Sequence, residues 1–323
     1  MTCRPTLLCY RPLGLGDLLV IVPALRALAD HFPNHRRILV TPRCWEPLTH
    51  LAGGVDEVID TPRHTISHTP FVPPPVSRPD VVVNFQGRGP DSHLMLKTLE
   101  PSRMIAFGSA AAGVEGPCWR PGEHEVAKWC RLLSDSGIPA DPRRLRIPVP
   151  DRQPPARAVG AVLVHPGAAY GARRWPVKRW IHVVRQAREL GREVVVTGSR
   201  DEAELAHEIA AAAGLDEGAV LAGRTDDVLD LAAAVAAADV VIAPDSGPAH
   251  LATALGRPSV TLFGPSSPQA WGPPRDEPRH RVLWHGTTGD AFTEALDPGL
   301  ARITADEVLA ELETLLTEPV RGE

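Results

Sequence analysis

Residues 238–265 read ADVVIAPDSGPAHLATALGRPSVTLFGP. The run ADVVIAP is apolar and rich in β-branched residues, as a strand buried on both faces requires. A polar corner follows, then the amphipathic segment PAHLATALG, with Pro248 placed for a first helical turn and Gly256 for the C′ position. PSVTLFGP then returns as a second buried strand. Strand, corner, helix and strand in this order imply a parallel sheet with helices on its faces. Outward from here the alternation covers most of the chain. TLLCY (6–10), RRILVTP (36–42), PDVVVNF (79–85), AVLVHPG (161–167) and REVVVTGS (192–199) read as further strands. PALRALADHF (23–32), KRWIHVVRQAREL (178–190), EAELAHEIAAAAG (202–214) and VLDLAAAVAAA (228–238) read as the helices between them. The fold class is α/β.

The alternation breaks once, in IPVPDRQPPARA (147–158), where clustered prolines make an extended linker. A boundary near residue 155 therefore divides a domain of residues 1–155 from one of residues 156–302. A final amphipathic helix follows within 303–323, with Thr304 and Glu307 forming a capping box. Two α/β domains place ligand sites at the carboxyl ends of their strands. TPRHTISHTPFVPPPVSRP (61–79) and GPSSPQAWGPPRDEP (264–278) are too proline-rich for a helix or a central strand.

Composition removes several functions. The formal net charge is −5 over 323 residues, so no basic footprint for nucleic acid exists, and contact with a membrane is at most peripheral. Only Lys97, Lys128 and Lys178 among the 34 basic residues are lysines, a skew that reads as codon bias rather than a binding signal. The five cysteines are odd in number and lack C-x-x-C spacing, which argues against a disulfide framework or a zinc site. Apolar runs are too short for a signal h-region or a bilayer span, so a cytoplasmic location is expected.

Four polar clusters follow strand ends. Gly14-Leu15-Gly16-Asp17 lies between the first strand and its helix. It departs from the dinucleotide fingerprint: Leu19 stands at the third glycine position, and the second strand ends without a ribose-binding acid. Asp17 is either a helix cap or a general base, with Gly16 allowing close approach of substrate. Asp245-Ser246-Gly247-Pro248-Ala249-His250 places more polar groups at a strand exit than a corner needs, at a helix start suited to a diphosphate. The loop from His165 to Pro176 offers glycine backbone at Gly167 and an arginine pair, Arg173 and Arg174, for phosphate or merely for solvent. Ser199 to Glu202 matches a capping box, with ribose binding by Glu202 as the alternative. No H-E-x-x-H, Asp-x-Asp, G-x-S-x-G or Walker A pattern occurs, and metal dependence is not expected.

Taken in order, GLGD (14–17) with PALRAL (23–28), VVVNFQG (81–87), HPGAAYGARRWPVKRW (165–180), VVVTGS-RDE (194–202), LAGRT (221–225) and PDSGPAHLATALGRPSVTLFGP (244–265) resemble the ADP-heptose:lipopolysaccharide heptosyltransferases, glycosyltransferase family 9. The resemblance implies a GT-B fold of two Rossmann-like domains facing a cleft, acceptor on the first and nucleotide sugar on the second. It implies that the final helix crosses back onto the first domain. Asp17 then corresponds to the family's catalytic base, and Arg173 falls where the family usually has a lysine near the donor phosphates. Asp245, Ser246, Gly247 and His250 match the donor motif, Glu202 the ribose-binding acid, and Gly223, Arg224 and Thr225 the segment near adenine. The implied activity is metal-independent, inverting transfer of heptose from ADP-heptose to a lipopolysaccharide-core hydroxyl, with no cofactor. An anionic acceptor of this kind needs cations on the first domain, for which Arg43, Arg63, Arg78 and Arg88 are candidates. A soluble metabolite as acceptor, a nucleotide-sugar-binding protein without turnover and a nucleotide-sugar epimerase are the alternatives.

Overall fold

The computed structural model describes residues 4–62, 73–224, 227–286 and 288–317. They form two units, one ending at Ile147 and the other beginning at Pro148. The division falls at the start of the proline-rich stretch rather than near residue 155.

In the first unit the order is β1 (Thr6–Tyr10), α1 (Leu15–Leu19), α2 (Val22–His31), β2 (Arg36–Thr41), α3 (Glu46–Ala52), β3 (Glu57–Asp60), β4 (Val81–Asn84), α4 (Asp91–Lys97), β5 (Arg103–Ile105) and α5 (Glu125–Asp135). The five strands are all parallel, in the order β3-β2-β1-β4-β5. Leu8 sits opposite both Ile38 and Val82, so the three central strands bring their apolar runs into register. The single helix expected after Gly14 is two helices. Pro23, which has no N–H to donate, stands in the first turn of α2 and restarts the chain there.

The second unit runs β6 (Val162–Val164), α6 (Val177–Glu189), β7 (Val194–Val196), α7 (Ala203–Ala212), α8 (Val228–Ala237), β8 (Val240–Pro244), α9 (Gly247–Leu255), β9 (Ser259–Phe263), α10 (Pro268–Trp271), β10 (His280–Trp284), α11 (Pro298–Arg302) and α12 (Ala305–Thr317). Its parallel sheet has the order β10-β9-β8-β6-β7, and a parallel bridge from Val196 to Val220 adds a rudimentary strand outside β7. The core joins Val162, Val164, Val240, Ile242 and Leu262 from the sheet to Trp180, Val183 and Val184 of α6. The expected last helix is α12, and its capping box is present: Glu307 accepts from the Thr304 N–H at 2.7 Å. Val308, Leu309, Leu312 and Leu315 place its apolar face in this same core, beside α6 and strands β8 to β10. The proline-rich segment after β9 does hold one helical turn, α10, because Pro268 occupies the first turn and Ser267 caps it.

In each sheet the strand order reverses once, between β1 and β4 in the first unit and between β6 and β8 in the second. Open α/β sheets bind ligands outside the carboxyl ends of the strands at such a point. The Gly14–Asp17 and VVVNFQG motifs lie at the first reversal, and the His165–Pro176 and Asp245–His250 motifs lie at the second.

Candidate functional site

At the β1 exit the chain turns through Arg11 to Gly14 into α1. Asp17 is indeed a cap, since its Oδ2 accepts from the Gly14 N–H at 3.2 Å. Its Oδ1 accepts from Arg11 Nη2 at 2.8 Å, and the carboxylate side chain remains 27% exposed. Gly16 lies beside it in the same turn. Arg11 itself is buried. It donates to the carbonyls of Asp17 and Phe85 and stacks on Trp129 at 4.9 Å. Beyond it, Glu125 pairs with Lys128 and accepts from Trp129 Nε1 at 3.0 Å. Sequence reading passed over Arg11, Glu125 and Lys128. The available signal was a charged residue directly after a buried strand.

The Asn84 of VVVNFQG orders the β4 exit. Its amide donates to the Ser92 hydroxyl at 2.9 Å and to His93 Nδ1 at 3.0 Å, while His93 Nε2 meets the Phe107 carbonyl at 2.8 Å. Burial lowers the pKa of His93 more than this carbonyl raises it, so the ring is neutral. Arg43 follows β2 and Arg88 follows β4, both exposed on the same edge as Asp17. Arg43 lies within 4 Å of Glu46 and Asp60, at 3.9 and 3.8 Å. Arg78 is set apart: it precedes β4, at the opposite edge, and pairs with Glu100 at 2.8 Å. Arg63 and Thr225 lie outside the described residues.

At the reversal of the second sheet, the β6 loop meets the β8 corner. Arg173 Nη1 donates to the Asp245 carbonyl at 3.3 Å, and His250 Nε2 lies 3.6 Å from Asp245 Oδ1. Burial raises the pKa of Asp245, but His250, Arg173 and the Ser266 hydroxyl together outweigh it and hold the carboxyl below its ordinary range. Ser246 is the N-cap of α9, whose first turn begins at Gly247, yet its hydroxyl makes no capping bond. Ser246 Oγ and Arg173 Nε are both buried without a hydrogen-bond partner among the described residues. Buried polar atoms are nearly always paired, so these two, one on the β6 loop and one at the α9 start, leave hydrogen-bonding capacity open to a ligand.

The same β6 loop meets the β7 corner on its other side. Glu202 accepts from the Ser199 N–H at 2.7 Å, as the capping-box reading requires, and lies 4.0 Å from His165 Nε2. Gly167 lies directly against that carboxylate; a Cβ there would come within 2.1 Å of Oε1. His165 Nδ1 is 3.2 Å from the Thr197 hydroxyl, and burial lowers its pKa despite the attraction of Glu202. Gly223 donates to the Gly198 carbonyl at 3.1 Å, which sets the 221–224 segment beside Glu202. Arg224 turns to Glu217 at 2.8 Å. A segment that sequence reading did not single out fixes this loop from above. Ala172 donates to the Thr293 carbonyl at 2.9 Å, and Tyr170 meets Phe292 edge to face at 5.3 Å. Glu294 closes on residue 171 so tightly that any Cβ would lie 2.0 Å from its carbonyl oxygen, leaving only glycine possible.

Residues 117–290 match the model of glycosyltransferase family 9 (heptosyltransferase). Lipopolysaccharide heptosyltransferase 2 of Escherichia coli (strain K12) is 38% identical over 162 residues, 47% of this chain and 46% of that protein. The matched segment thus spans about half the length of the curated relatives. Among solved structures, E. coli ADP-heptose LPS heptosyltransferase II gives a TM-score of 0.74 at 22% identity over 96% of this chain and 98% of that one. E. coli heptosyltransferase WaaC with ADP gives 0.68 at 18% identity over 96% and 99%. Likeness at such identities carries the fold, which is GT-B. The family model covers more than half of the sequence, and the chain belongs to glycosyltransferase family 9, the heptosyltransferase family.

Proposed function

We propose that this chain is an inverting glycosyltransferase that moves heptose from ADP-heptose to a hydroxyl of a lipopolysaccharide-core glycan, acting in the cytoplasm. The orphaned Arg173 Nε and Ser246 Oγ at the start of α9 carry the reading. Along the second sheet's edge the groups follow the order of a nucleoside diphosphate. Gly223 stands toward the base, Glu202 beside Gly167 toward the ribose, and Arg173 with the α9 start toward the phosphates. The relatives named for heptose transfer, and the WaaC structure holding ADP, support the same donor.

Asp17 is the general base. One carboxylate oxygen is held by Arg11, so the group is oriented while still open to solvent. It takes the proton of the acceptor hydroxyl as that oxygen bonds to the anomeric carbon. The bond from that carbon to the diphosphate breaks on the opposite face, and ADP leaves with the electron pair. Arg173, the Ser246 hydroxyl and the first turn of α9 stabilise the charge that develops there. These groups meet the charge of the leaving diphosphate, and no step is routed through a metal. Arg43 and Arg88, exposed on the strand-exit edge that bears Asp17, would meet anionic groups of the acceptor.

Calorimetric titration with ADP-heptose, ADP-glucose, UDP-GlcNAc, GDP-mannose and NAD, with chelator present, tests the donor. Selective binding of ADP-heptose is expected. Tighter binding of another nucleotide sugar would overturn the heptose assignment and point to Arg173, which stands where a lysine is usual. The arginine fork and the lysine point charge do not recognise a diphosphate in the same way.

A further inference from the structure

We propose that Glu125 is a positioning residue for Asp17, acting through Arg11, with Lys128 holding Glu125 in place; the proposal rests on the reading of Asp17 as the base. Arg11 lies between two carboxylates. Its Nη2 is 2.8 Å from Asp17 Oδ1 and 3.9 Å from Glu125 Oε2. The remaining guanidinium contacts are also taken, by the Asp17 carbonyl at 3.1 Å, the Phe85 carbonyl and the Trp129 ring. Arg11 therefore cannot turn, and it transmits the position of Glu125 to Asp17.

Glu125 is fixed with equal care. One oxygen takes Lys128 Nζ and the other takes Trp129 Nε1 at 3.0 Å. Lys128 in turn lies 4.4 Å above the Trp119 ring. Two cations and two anions thus balance in a pocket where three of the four residues are buried. A buried ion pair kept only for stability gains little over apolar side chains of the same volume. This one is joined to the exposed carboxylate at the β1 exit, and that connection gives it a task. By sharing the guanidinium charge with Glu125, the pocket orients Asp17 without spending that whole charge on it. Lysine at 128 supports the same view. In a chain where three of 34 basic residues are lysines, an ammonium stands here, where a short point charge fits between Glu125 and Trp119.

The charged groups of the pocket come from three elements: Arg11 from the β1 exit, Asp17 from α1, and Glu125 and Lys128 from α5. The β4 exit contributes the Phe85 carbonyl. Tyr10 on β1 and Cys130 on α5, both pushed up to about 12 chiefly by burial, stay neutral in the working range. Arg131, also on α5, pairs with Glu123 and Asp135 instead.

The test measures ADP release from ADP-heptose with a lipopolysaccharide-core acceptor as a function of pH, beside ADP affinity and thermal melting. Glu125→Gln keeps the shape and still accepts from Lys128. It should lower kcat about tenfold, leave KM for donor and ADP affinity within twofold, and move the acidic limb of the kcat profile to lower pH. Lys128→Met removes a cation and should move that limb the opposite way, which keeps the test available if the first variant does not fold. Wild-type kcat in Glu125→Gln, or a loss of kcat with both limbs unmoved, would overturn the positioning role. Asp17→Asn separates the two readings. A loss beyond a thousandfold with ADP binding intact keeps the base, so that silent Glu125 and Lys128 variants would sink the positioning role alone. An active Asp17→Asn removes the base itself.

Discussion

Gly167→Ala separates the two tasks open to Glu202. The added Cβ would lie 2.1 Å from Glu202 Oε1, 2.2 Å from Cδ and 2.8 Å from Oε2. The carboxylate is the far end of a flexible side chain, so it moves aside and gives up its bond to the Ser199 N–H. Losing a cap contact costs about 1 kcal/mol, which for a unit of this size lowers the melting temperature by about 2–4 °C. If Glu202 also holds the ribose hydroxyls, a charge-assisted hydrogen bond to ligand is lost as well. That is worth about 1.5–3 kcal/mol, or roughly 10- to 100-fold in ADP affinity. Titration calorimetry with ADP reads the second effect, and a melting curve without ligand reads the first. Glu202→Gln should weaken ADP similarly, without steric overlap. A variant pair that melts lower but binds ADP within twofold of the parent would refute ribose binding and leave Glu202 as a helix cap only.

Other outcomes follow from the packing and the buried histidines. Leu312→Ala on α12 opens a cavity between that helix and the core of the second unit, and should cost about 2–5 kcal/mol. An unchanged melting curve would mean that α12 does not close this core. His93 and His165 both have pKa values lowered by burial from the ordinary 6.5. The unfolded chain then binds more protons, so stability is lost as pH falls below about 6.5, by at most about 1.4 kcal/mol per pH unit for each histidine. Melting at pH 5.5 against 7.5 should show this loss, and His93→Gln should reduce it; an equal loss in the variant would exclude His93 as a contributor.

The central strands were legible because they are continuous apolar runs, buried on both faces. Strands β3, β5 and β10 were not. Each lies at a sheet edge and is short or only partly buried, so EVID, RMI and HRVLW carry no strong period. The corners bearing Asp17 and Asp245 were legible for a different reason: strand ends are where this architecture gathers polar residues, and these motifs had a recognisable order. What stayed hidden was pairing across distance. Nothing local tells that Arg11 meets Glu125, or that Phe292 and Glu294 close over the loop at Tyr170 and Gly171. Glu202 shows the converse case, a residue whose local pattern was read correctly as a cap while its contact with Gly167 came into view only in three dimensions.

The scarcity of lysine gives the molecule a built-in chemical reporter. Lys97 and Lys178 sit on exposed positions, whereas Lys128 is enclosed between Glu125 and Trp119. An amine-directed reagent will therefore acylate Lys178 at the rate of a surface amine, and Lys97 once its Nζ releases the Ala112 carbonyl that it holds at 2.9 Å. Acylation at Lys128 waits on opening of the first unit. Mass spectrometry of a single peptide, timed against the other two, thus becomes a clock for how often that unit breathes, and shows directly whether a bound acceptor slows it.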